Sequence, residues 1–194
     1  MNRLAIPLCW VLLVGSVRAE NKAAFPAVIR VDEKQELHLT GAATRKFLRL
    51  SIYQVASYCA PSESVRDAKS LLGADVTKQL RLRMVGRVTD SLVAAGITKS
   101  VQDNDPEGRF EKETEVVVGF LKKHGLRRGD ELIFTSFPGG ELRCELGDES
   151  VTVVRDRFGG AIWGAYFGDM PITEAIRRGL TSQLREKGKP PAEK

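Results

Sequence analysis

Residues 37–61, LHLTGAATRKFLRLSIYQVASYCAP, constrain this chain more than any other stretch. The alternation Leu37-His38-Leu39-Thr40 reads as a half-buried strand. Gly41-Ala42-Ala43 interrupts it with three small residues. From Phe47 the chain runs to Pro61 without Gly or Pro and is rich in aromatic, β-branched and leucine residues. It reads as one long strand with two unlike faces. Leu48, Leu50, Ile52, Gln54 and Ala56 form a mostly aliphatic face, expected against a core. Phe47, Arg49, Ser51, Tyr53 and Val55 form the other, a mixture that suits a pocket lining.

The order of elements points to an α+β domain, an antiparallel sheet with a helical layer on one face. A short strand is expected at residues 28–31. A helix capped by Ser62 or Ser64 should run through Leu72, and the alternating run 79–84 should be a strand with Leu80, Leu82 and Met84 inward. Thr89-Asp90 signals a helix over 91–102, and 107–124 reads as a second helix ending at Gly125. Strands are expected at 131–137, 141–146 and 150–155, joined by Pro138-Gly139-Gly140 and Gly147-Asp148-Glu149. An apolar helix over 158–167 and a helix capped by Thr173 and running to Leu184 complete the set. The chain divides into 1–19 as an export signal, 20–34 as a lead-in with the first short strand, 35–187 as the domain and 188–194 as a frayed tail.

The signal reading rests on Arg3, the apolar stretch 4–17, and small residues at Val17 and Ala19 before Glu20. The apolar stretch is short for a membrane span, although an uncleaved anchor is the alternative. Cleavage would leave about 175 residues, no stable membrane span and a periplasmic or secreted protein. The net charge is +5, and Arg3 and Arg18 belong to the signal, which leaves +3. That balance, with scattered Lys and Arg and no interleaved aromatics, argues against nucleic acid as a partner. Cys59 and Cys144 would pair in an oxidising compartment or stand as two separately buried thiols; both readings are open. No Cys/His cluster, phosphate loop or other cofactor motif occurs.

The pattern Gly41-Ala42, Arg45-Lys46-Phe47, Tyr53, Tyr58 resembles the chalcone isomerase-like family, with the closest likeness to its secreted bacterial branch. Gly164-Ala165-Tyr166-Phe167-Gly168-Asp169-Met170-Pro171 resembles the family's final segment. The resemblance implies a chalcone isomerase-like open-faced β-sandwich with a ligand cleft between sheet and helices. In that family Arg45 would face the ligand, polarising a ketone in the isomerases or gripping a carboxylate in the fatty-acid binders. Tyr53 matches the binders, where the enzymes carry Thr. The enzymes' Tyr and Asn on the helix after the central strand have no counterpart in residues 90–98, and Ala165 stands near the place of an enzyme Thr or Ser. The resemblance therefore favours an exported, non-catalytic protein holding a small amphipathic ligand such as a fatty acid. The alternatives are a chalcone isomerase-like intramolecular lyase and a structural or partner-binding envelope protein.

The candidate ligand-binding residues are Arg45, Tyr53 and Arg49. A guanidinium gives a carboxylate two parallel donors and a phenol adds a third. On one straight strand, however, Arg45 and Tyr53 would lie about 26 Å apart. They meet at one head group only if the chain folds back between them; otherwise Arg49 is the better cation for Tyr53 and Arg45 a solvated turn residue. His38, His124, Ser57 and the Asp148-Glu149 pair lack the partners that catalysis would need, and Phe110, Val117, Phe120, Leu121, Trp163 and Tyr166 read most simply as core, a subset of them lining an apolar cleft if one exists.

Overall fold

The computed structural model describes residues 25–47, 50–86 and 89–187. The expected export signal, the tail and Arg49 lie outside the described residues. Among the described residues seven strands form one sheet in sequence order, every neighbour antiparallel: β1 (Val28–Val31), β2 (Gln35–Phe47), β3 (Leu50–Cys59), β4 (Lys78–Met84), β5 (Glu131–Ser136), β6 (Glu141–Leu146) and β7 (Glu149–Val154). Helices fill the connections: α1 (Ala68–Gly73) before β4, α2 (Asp90–Asn104) and α3 (Glu111–His124) before β5, and α4 (Phe158–Phe167), α5 (Glu174–Leu180) and α6 (Ser182–Lys187) after β7. None of these helices is long and apolar enough to cross a membrane.

Strand alternation assembles the core row by row. Val55, Leu82, Leu132 and Leu146 stand opposite one another across β3 to β6, all nearly or fully buried. Leu80, Phe134 and Cys144 form the next row. Helical residues Val117, Leu121, Phe158, Ile162 and Trp163 close over them. The indole Nε1–H of Trp163 donates to Ser136 Oγ at 3.0 Å, which satisfies its polar atom inside the core. The opposite face of the sheet carries charge: Arg81 and Arg83 both pair with Glu131. A smaller apolar cluster of Ile29, Val31, Leu37, Ala56 and Tyr58 covers that face near β1.

Three expectations are corrected. First, no single long strand runs from Phe47. β2 ends at Phe47, which pairs with Leu50 at the start of β3, so the chain reverses there without Gly or Pro. Second, the face assignment of β3 inverts except at Ile52, which packs against the main core as expected. Tyr53, Val55 and Cys59 join the main core, Ala56 joins the smaller cluster, and Leu50 is 69% exposed. Third, Gly41-Ala42-Ala43 does not end a strand. β2 continues through it with a register shift between Leu39 and Gly41. The small residues are there because α5 packs backbone against backbone: a Cβ on Gly41 would strike Gly179 and Leu180, and one on Gly179 would come 2.9 Å from the Ala42 carbonyl. Thr40 Oγ1 fastens the contact by donating to the Leu180 carbonyl at 2.9 Å.

Helix ends shift for local reasons. α1 starts at Ala68, not after Ser62 or Ser64, because Asp67 and Ser70 close a reciprocal capping box. The Lys78 ammonium finishes the helix, donating to the carbonyls of Leu71, Leu72 and Ala74 at 2.8–3.0 Å. Thr89 caps α2 as expected, but the helix runs on to Asn104. α3 begins after Phe110, which stands at the N-cap position without a side-chain cap, and the final helix breaks at Thr181 into α5 and α6.

Candidate functional site

The reversal at Phe47 and Leu50 builds the site. It sets Arg45 directly opposite Tyr53 on the paired strand. Cross-strand partners have Cα atoms about 4.5–5.5 Å apart, so the 26 Å separation disappears. The next pair is Lys46 with Ser51, which leaves Ile52 as an extra residue in β3. That bulge lets the consecutive residues Ile52 and Tyr53 both border the same hollow. Arg49, the alternative cation, lies outside the described residues.

The hollow has a volume of about 610 Å³. Ile52, Leu82 and Phe134 supply its sheet wall, and Val93, Gly96 and Ile97 of α2 stand across from them. Ile162, Ala165 and Tyr166 of α4 make a third side, and the segment from Met170 to Ile172 edges it. Leu92, Met170 and Ile172 are partly exposed at its rim. The size falls within the range of roughly 300–1,000 Å³ usual for small-molecule sites.

Polar groups are few and gathered. Arg45 lies on the wall, and no described carboxylate forms an ion pair with it. Tyr53 and Tyr166 share a hydrogen bond, hydroxyl to hydroxyl at 3.4 Å. Burial raises the Tyr53 phenol above its ordinary pKa, with Tyr166 and then Arg45 pulling it partly back. Burial, and then Tyr53, raise the Tyr166 phenol well above its ordinary value. Both rings are therefore neutral hydroxyls at physiological pH. One donates to the other, and one O–H remains for a guest beside the guanidinium. The other charges at the hollow close on each other: Lys99 Nζ donates to both oxygens of Asp103, at 2.8 and 2.9 Å.

Of the residues read as core or cleft lining, Tyr166 borders the hollow. The signal available was a phenol inside the apolar helix of residues 158–167, since a buried hydroxyl needs a partner. Asn104 falls beyond the helix expected over 91–102, and α2 carries it in its last turn. It lies on the edge of the hollow, its Nδ2 donating to the Ser100 carbonyl at 2.8 Å. His124 packs against the Phe120 ring, and neither it, His38, Asp148 nor Glu149 borders the hollow. Cys59 and Cys144 are buried and free, on strands separated by β4 and β5.

A second hollow of about 740 Å³ lies on the other side of Asn104, among α1, α4 and α5. It is lined by charges of both signs: Lys69, Arg177 and Arg178 with Asp67, Asp169 and Glu174. Arg177 is held there by Glu174 at 2.8 Å.

Comparison with known proteins addresses the fold and the family. No curated protein matches the sequence. Among solved structures, a fatty-acid binding protein of Arabidopsis thaliana superposes with a TM-score of 0.63 at 16% identity, covering 84% of this chain and 91% of the other. That likeness is one of fold, the open-faced α+β arrangement expected from the sequence. A family model described as chalcone isomerase-like matches residues 19–181. The match contains the β2–β3 reversal with Arg45 and Tyr53 as well as the final segment around Tyr166, and the chain is a member of the chalcone isomerase-like family.

Proposed function

We propose that this protein is an exported, non-catalytic carrier of a small amphipathic ligand, a fatty acid or similar molecule. The carboxylate lies against Arg45 and the Tyr53–Tyr166 hydroxyls, and the alkyl chain fills the apolar hollow. The observation that carries this reading is the guanidinium of Arg45, unpaired among the described residues, set opposite Tyr53 at the wall of a cavity lined mostly by apolar side chains, whose other charges, Lys99 and Asp103, pair with each other. Such a group accepts a carboxylate without first breaking an internal ion pair. The similar Arabidopsis protein is described as fatty-acid binding, which supports the choice of ligand.

The non-catalytic part of the reading is supported by the helix wall. Val93, Gly96 and Ile97 offer the guest only carbon and backbone, and the one carboxylate at the hollow is engaged by Lys99. Export is supported by the apolar stretch at residues 4–17 and the small residues before Glu20.

The test is native mass spectrometry of protein purified from its own cell, followed by titration of stripped protein with a fluorescent fatty acid. A co-purifying lipid and saturable binding are expected. A clean apo mass with no binding of added fatty acid overturns the proposal. Cyclisation of a chalcone above the spontaneous rate overturns its non-catalytic part.

A further inference from the structure

The two hollows meet at one residue. Asn104, the last residue of α2, borders both, and no other described residue does. Its side chain is wedged against α4. A Cβ on Gly164 would collide with the carboxamide, and one on Gly168 would come 3.2 Å from Oδ1. The Nδ2 hydrogen bond to the Ser100 carbonyl fixes the amide, and Ser100 Oγ donates to the Ala161 carbonyl at 3.1 Å, tying α2 to α4 at the same place. The connection between α4 and α5 straddles the same divide. Gly168 and Asp169 line the charged hollow, and Met170, Pro171 and Ile172 line the apolar one. Asn104 is where the two linings meet.

We propose that Asn104 is the stop that sets how long a chain the apolar cavity accepts. This rests on the carrier reading. The head of the ligand is held at Arg45, near the start of α2: Gly86 N–H donates to the Ile52 carbonyl and α2 begins at Asp90. Asn104 lies at the other end of α2, fourteen residues beyond that start, against Gly164 of α4. A chain growing from the head gains roughly fourfold in affinity for each methylene it buries. The gain ends at the first fixed wall. Without the amide, Leu72 and Phe167 of the second hollow would offer further apolar surface to the tail.

The experiment displaces a fluorescent fatty acid from the stripped full chain with saturated fatty acids of increasing length. For the wild type, affinity climbs with length and then breaks. For Asn104→Ala the break moves to longer chains, and the first acids beyond the wild-type break continue to gain affinity, by up to roughly fourfold per added methylene where the tail meets Leu72 and Phe167. Asn104→Leu, which keeps the branched outline without the amide, retains the wild-type break. Asn104→Ser serves as a second small variant if the alanine protein folds poorly, and it shifts the break in the same direction. An unchanged break in the small variants overturns the stop and leaves the carrier reading standing, as does an Asn104→Leu protein that behaves like Asn104→Ala. Failure of the wild type to bind any fatty acid overturns the carrier reading and the stop together.

Discussion

Arg45 and Tyr53 are eight residues apart in sequence and directly opposite each other in the sheet, the last regular pair before the β2–β3 register slips. The slip matters as much as the pair. It frees Ile52 from the ladder, so a cation, a phenol and an aliphatic side chain converge on one wall within a few residues.

Removing the cation is the direct test of that convergence. Arg45→Ala is expected to weaken fatty-acid binding by about 1.5–3 kcal/mol, the range for a hydrogen bond to a charged group. Arg45→Lys should recover part of the loss, because an ammonium supplies charge without the two-pronged geometry. Calorimetry with a carboxylic acid and its methyl ester gives a second reading: the wild type prefers the acid and the alanine variant does not discriminate.

The reason this site was only half legible in the sequence is physical. Strand periodicity reports which residues share a face but does not report where a strand reverses, and no Gly or Pro marks the reversal after Phe47. β3 also misled because it is covered on both faces over its second half. Val55 and Cys59 meet helices while Ala56 and Tyr58 meet the smaller cluster, so hydrophobicity alone could not choose the inner face. In β4 only one face is apolar, and there the alternation of Leu80, Leu82 and Met84 named the core without ambiguity. Tyr166 was hidden by its setting, a single hydroxyl in a helix whose other residues are nearly all apolar or glycine.

The tyrosines give a pH signature. The chain has three, and burial raises all of them above the ordinary value, Tyr58 to about 12. Phenols raised in the folded state contribute stability that is whole below pH 10 and is lost as the pH climbs through the folded values. Ultraviolet titration should therefore show less phenolate at about pH 10 in the folded protein than in denaturant, where that pH is the ordinary midpoint and half of the phenol is ionised. Ligand binding should be insensitive to pH from 6 to 9, since neither Tyr53 nor Tyr166 ionises there. A native protein whose three phenols all titrate at the ordinary midpoint would contradict the buried hydroxyl pair.

Cys59 and Cys144 should remain thiols even in an oxidising compartment. They lie on β3 and β6, three strand spacings apart, or about 14 Å. A disulfide needs Cα atoms within about 7 Å. Burial also pushes the Cys59 thiol up to about 11 and the Cys144 thiol higher still, which suppresses the reactive thiolate. Intact-mass analysis after alkylation should show neither residue labelled in the folded protein and both labelled in denaturant without any reductant.

The docking of α5 on β2 depends on a glycine with no room for a side chain. Gly41→Ala would drive a methyl group into the backbone of Gly179 and Leu180. Unlike a flexible side chain, that backbone has nowhere to go without lifting α5, and α5 follows directly on the Met170–Ile172 edge of the hollow. The cost expected is about 3 kcal/mol, the upper part of the range for overpacking. A shift in the denaturation midpoint with an unchanged slope measures it. Ligand affinity should fall as well, through the displaced edge.

Gly96 is the opposite case and tests the cavity itself. It lies within α2 on the rim of the hollow, and a Cβ built there meets nothing within 4 Å. A helical glycine costs about 0.8–1.0 kcal/mol relative to alanine, so Gly96→Leu should raise the stability of α2 by about 0.5–1 kcal/mol. The same side chain would project over the space assigned to the ligand. Fatty-acid affinity is therefore expected to fall at least tenfold, about 1.4 kcal/mol, while the denaturation midpoint rises. Gly96→Ala should give most of the stability and little of the block. The two effects move in opposite directions only if the hollow is the binding site. A Gly96→Leu protein that is more stable and binds as the wild type does would place the ligand elsewhere.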